Sequence, residues 1–190
     1  MIGQTNLGTK EISFRSFCWR VTATHTIAYF FAGIAAMLTL NYEKELSKGF
    51  LETFMRTTSS PIVPLGAALQ LINGFFISLI LYPIRKEIIG NFKTGWKKLS
   101  ILVIGFTVFA PQTPGPGNLE GLIYTKIPLP IHIMSLPEAI LYGLLFSLAL
   151  VYWIKFDKKW MKTTSIVFIV LILLMSLLGY LDTIGVLPKQ

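Results

Sequence analysis

His25 and His132 are the side chains of this chain best suited to proton transfer or ligation, and they stand in different apolar surroundings. His25 lies in "THTIAYFFAGIAA", with Tyr29 one helical turn further on. Imidazole titrates near neutrality, so a histidine there suits a proton relay; packed and hydrogen-bonded, it serves structure alone. His132 sits in "IPLPIHIMSLPEAI", shortly before Glu138 and Tyr142. Ser135 followed three residues later by Glu138 reads as a capping box, in which the carboxylate satisfies backbone donors at a helix start. The same Glu138 also suits ligand binding or proton handling.

Arg56, Glu120, His132 and Glu138 together contain a cation, an imidazole and two carboxylates. They form a candidate catalytic set if the fold gathers them on one side. Charge balance across two loops explains the same residues without chemistry. A second set comes from "GAALQLINGFFIS", where Gly66, Gln70, Asn73, Gly74 and Ser78 recur at spacings of three and four. That spacing puts every polar or small residue of the segment on one helix face. Gln70, Asn73 and Ser78, with His25, Tyr29 and Tyr142, are the candidate ligand-binding residues. Hydrogen bonding between helices is the structural alternative for the same face.

Several familiar chemistries lack their residues. Cys18 is the only cysteine, so neither an internal disulfide nor a cysteine-rich metal site is available. Asp157 and Asp182 are the only aspartates, the first expected inside and the second outside, so no aspartyl pair is available. No G-x-S-x-G, H-E-x-x-H or glycine-rich phosphate loop with its lysine occurs. His25 and His132 are expected to differ in depth by about 20 Å from the 1.5 Å rise per residue. One haem iron cannot take both. No cofactor and no metal are therefore expected.

The elements that must position these residues are apolar. Hydrophobic residues make up 53% of the chain and charged residues 14%, against roughly 45–50% and 25% in soluble domains. Five blocks approach the length of about 20 apolar residues that crosses a bilayer. They cover roughly 21–42, 62–84, 96–112, 136–154 and 164–183. The reading is an all-α integral membrane protein, a single five-span helix bundle. Ser60 with Pro61 is expected to start the second span. In the first, Thr24, Ala28, Ala32 and Ala36 form a small-residue stripe suited to close helix approach, either within the chain or with a partner helix or a second copy.

The net charge of +8 is unevenly placed. With the N-terminus inside, the inner segments hold twelve basic residues against three acidic ones, and the outer segments five against six. This is a positive-inside pattern, with the C-terminus outside, of the kind expected in a prokaryotic plasma membrane. It favours anionic lipid at the cytoplasmic face as partner over nucleic acid. The first span is read as retained rather than as a cleaved signal, because its polar preface is long and its removal breaks the charge alternation.

Two outer connections are not plain loops. Residues 44–57 repeat Leu46, Phe50, Leu51, Phe54 and Met55 at helical spacing between charges, which reads as a short interfacial amphipathic helix. Residues 111–135 are long for a helix connection and too apolar to stay solvated. They are expected to form an ordered outer cap, with a tight turn and a brief helix carrying Glu120. The function expected is binding or passage of a small solute or lipid between the second-span polar face and the cap. The alternatives are an outward-facing membrane enzyme using Glu138, His132 and Arg56, or an accessory subunit of a larger membrane complex.

Overall fold

The computed structural model describes residues 12–40, 55–57, 59–110 and 113–187. The interfacial helix expected at 44–57 lies outside the described residues except for its last three positions. Every regular element among the described residues is a helix: α1 (Phe14–Leu40), α2 (Gly66–Leu81), α3 (Arg85–Ile89), α4 (Phe92–Val108), α5 (Leu119–Tyr124), α6 (Leu129–Phe156) and α7 (Lys159–Thr183). Three of them, α1, α6 and α7, are long and apolar enough to cross a membrane, which points to a membrane location. The other two long helices, α2 and α4, have 16 and 17 residues. At 1.5 Å per residue each reaches about 25 Å, short of a hydrocarbon core of roughly 30 Å.

α1 is the hub, packing against α2, α6 and α7. Its small residues make this possible: Thr24, Ala28, Ala32 and Ala36 are all buried by the chain's own helices. In lipid, helices associate through close backbone approach rather than through hydrophobic exclusion, and small side chains permit it. The closest approach is at Gly74 of α2, where a Cβ would lie 2.7 Å from the Cα of Thr22. A core of Phe17, Val21, Leu81, Leu99, Phe146 and Leu150 fills the space where α1, α2, α4 and α6 meet. α4 packs along α6, and α6 joins α7 through Asp157 and Lys158. Arg20 of α1 clamps that turn, bonding the backbone oxygen of Trp153 at 3.0 Å and the Asp157 carboxylate.

Three element boundaries differ from the sequence expectation. α2 begins at Gly66 rather than at Pro61. Pro64 has no N–H to donate to Ser60, so residues 60–66 close with shorter bonds such as Val63 N–H to Ser60 O and Gly66 N–H to Val63 O, each 3.0 Å. α4 runs from Phe92 to Val108, some four residues earlier than 96–112, because Asn91 caps it by accepting from Lys93 N–H at 3.1 Å.

The third difference is at α6, which starts at Leu129 and runs through Pro137. Ser135 is thus inside the helix, where its hydroxyl donates to Ile131 O at 2.9 Å, and the expected capping box is not formed. Pro130 falls in the first turn, where a missing N–H costs nothing, and Pro137 removes a single bond from a helix of 28 residues.

The connection before α6 is ordered over residues 113–128. Asn118 caps the short α5 by accepting from Gly121 N–H at 2.7 Å, and its side chain also binds Gly115 N–H at 3.2 Å. Gly117 has φ +77°, a conformation other residues adopt only with strain, and a Cβ there would press on Ser135 at 2.9 Å. Its N–H donates to His132 Nδ1 at 3.1 Å, which ties the connection to α6.

Candidate functional site

His25 lies where α1, α2 and α6 meet, eleven positions into α1. α2 and α6 both run antiparallel to α1, and Gln70 and Tyr142, 72 positions apart in sequence, meet at the level of His25. His25 Nδ1 is 2.7 Å from the Tyr142 hydroxyl, and its Nε2 is 3.1 Å from Gln70 Oε1. Asn73 Nδ2 donates to the same Gln70 oxygen at 2.9 Å. The Gln70 amide nitrogen turns back to Gly66 O at 3.4 Å.

These bonds place one proton in the cluster. Gln70 Oε1 can only accept, so His25 Nε2 carries a proton, while Nδ1 pairs with the Tyr142 hydroxyl. Both imidazole nitrogens are thus satisfied inside the bundle. The ring also meets Phe146 and Tyr142 edge-on, with centroids 6.0 and 5.5 Å away. Tyr29, one turn further along α1, has its ring centroid 6.4 Å from that of His25. Glu138 lies one turn from Tyr142 on α6. The cluster thus runs from Tyr29 through His25 and Tyr142 to Gln70 and Asn73.

The structure brings together five of the six candidate ligand-binding residues, His25, Tyr29, Gln70, Asn73 and Tyr142. Ser78 stands apart. It is buried and donates to Phe75 O at 2.6 Å, so its hydroxyl is spent on its own helix. The candidate catalytic set is distributed differently. His132 and Glu138 are six positions apart on one helix, which sets them about 120° apart around its axis and about 9 Å along it. His132 binds the Gly117 backbone through Nδ1, and its buried Nε2 has no partner among the described residues. Arg56 is exposed before α2, and Glu120 occupies the first turn of α5. Glu138 lies on the same side of α6 as Tyr142, one turn before it, rather than on the side of His132.

The depth argument for the two histidines can be restated on one helix. Tyr142, the partner of His25, is ten positions beyond His132 on α6, or about 15 Å.

Comparison with protein-family models, with curated proteins and with solved structures finds no match to this chain. Function must therefore be argued from the site itself.

Two features of the site were not foreseen from sequence. One is the Arg20 clamp on the α6–α7 turn. The other is an apolar cleft of about 190 Å³ between α1, α6 and α7, walled by Ala28, Phe31, Ala149, Trp153, Trp160 and Phe168. Neither leaves a local signature, since each joins residues far apart in the chain.

Proposed function

We propose that this is a five-span membrane protein, N-terminus inside and C-terminus outside, that binds a small solute or lipid at the His25–Gln70–Asn73–Tyr142 cluster. The observation that supports binding is the partial exposure of the cluster. His25 is buried, but Asn73 is exposed and Tyr29 is 39% exposed. A purely structural network would be expected to close over its polar atoms, because lipid cannot pair them. Polar side chains at membrane depth mark ligand or ion sites by default. Tyr142 lies about 15 Å along α6 from His132, where the cap attaches, which supports a site within the bundle rather than at its outer mouth.

The enzyme alternative has less behind it, since the helix turns His132 and Glu138 to different faces. The accessory-subunit alternative loses its docking stripe, which this chain's own helices cover.

The test is native mass spectrometry of the protein purified gently from its host membrane. A bound mass is expected on the wild type and not on Gln70→Leu, compared at a temperature where both are folded and monodisperse. The same mass retained on Gln70→Leu contradicts the reading.

A further inference from the structure

The apolar cleft between α1, α6 and α7 shares no residue with the His25 cluster, and one end of it lies at the basic α6–α7 turn. We propose that this cleft holds one acyl chain of an anionic phospholipid whose phosphate rests against the lysines of that turn.

The dimensions of the cleft select the chain. Its walls extend from Trp153 back to Leu145 on α6 and from Trp160 on to Phe168 on α7. Eight positions on each helix are about 12 Å, close to the roughly 15 Å of hydrocarbon in one leaflet. Spread over that length, 190 Å³ is a channel about 4 Å across, the scale of carbon–carbon contact. One hydrocarbon chain matches it, whereas a helix, about 10 Å across, cannot enter.

The lining is apolar as well as narrow. Of its three hydroxyl side chains, Thr24 donates to Arg20 O at 2.6 Å and Ser165 to Lys162 O at 2.8 Å, so each is spent on its own helix. A polar solute would find little to bond there, and apolar walls do not hold water.

The turn supplies the charge. Residues 153–164 carry Lys155, Lys158, Lys159 and Lys162 against one acid, Asp157. Arg20 already pairs with that acid, and none of the four lysines has an ion-pair partner among the described residues. Lys158, Lys159 and Lys162 are exposed, and Trp160 beside them is 58% exposed, as a tryptophan at headgroup level is. Such a cluster attracts an anionic headgroup. Basic loops draw anionic lipid without any cleft; uncompensated lysines at the end of a chain-sized groove make a site.

The experiment titrates delipidated protein in maltoside detergent with phosphatidylglycerol or phosphatidylcholine brominated on one chain. Trp153 and Trp160 line the cleft, so a brominated chain inside it quenches their fluorescence. Phosphatidylglycerol is expected to quench at about tenfold lower concentration than phosphatidylcholine, saturating at one lipid per protein. Ala149→Phe, at an exposed position of the wall, fills the cleft and keeps every charge. It is expected to abolish saturable quenching by either lipid. Lys158→Gln with Lys159→Gln keeps the cleft and is expected to bring phosphatidylglycerol close to the phosphatidylcholine level. Equal affinities for the two lipids on the wild type overturn the proposal. So does unchanged quenching on Ala149→Phe, or a wild-type dimer that Ala149→Phe dissociates, since a second copy would then cover the cleft. Gln70→Leu is expected to leave this quenching unchanged. A native mass lost on Gln70→Leu and kept on Ala149→Phe therefore belongs to the His25 cluster, and one with the reverse behaviour belongs to the cleft.

Discussion

At the scale of single residues, the deciding fact is that His25 has two different partners from two different helices. Each side chain of the cluster was recognisable in the sequence by type, because a polar residue inside an apolar run stands out. Their pairing was not. Tyr142 is 117 positions from His25, and no local pattern connects them. Glu138 illustrates the same limit: its spacing from Ser135 imitates a helix start, yet the helix begins six residues earlier. The pairing carries a stability prediction. Tyr142→Phe leaves His25 Nδ1 without its partner and is expected to cost about 1 kcal/mol, in the range of hydrogen bonds between membrane helices. His25→Leu combined with Gln70→Leu is expected to cost less than the two changes added, since they break one shared bond. Thermal unfolding in a fixed detergent measures both, and strict additivity would count against the bond.

Element by element, apolar runs located the helices well, while prolines and caps set their ends. Pro64 is the clearest case. The sequence rule that proline favours a first helical turn pointed to Pro61, but a second proline three residues later withdraws the next donor and delays α2 to Gly66. Pro64→Ala restores that N–H and is expected to extend α2 toward residue 61. Slower amide exchange at residues 62–65 would show it, and unchanged exchange would contradict it. The cap has its own test. Asn118→Ala removes bonds to Gly115 and Gly121 and is expected to cost about 1 kcal/mol. The loss should appear as faster exchange over residues 113–128 with the bundle intact. Gly74 is the opposite kind of position, a contact with no space to give. Gly74→Leu forces α1 and α2 apart at Thr22 and is expected to destabilise by about 1–3 kcal/mol, read as a lower melting temperature.

For the whole molecule, hydropathy pointed to an all-helical membrane protein, and the small-residue stripe marked the first span for close packing, since long apolar runs and small-residue stripes are written directly into the sequence. The number of crossings is a different matter. Two of five expected spans are helices of only 16 and 17 residues, so charge placement has to argue what length does not. A five-span arrangement predicts that a reporter fused after Gln190 faces outward while one in the α6–α7 turn faces the cytosol; both on one side would remove a crossing. Beneath the topology lies a simpler requirement, that Asn73, the exposed residue of the α2 polar face, meets hydrocarbon rather than water. A spin label at Asn73→Cys in a Cys18→Ser background, in lipid nanodiscs, measures this directly. It should collide freely with dissolved oxygen and be shielded from a water-soluble nickel chelate. Strong relaxation by the chelate would place Asn73 in water, where an exposed amide needs no occupant.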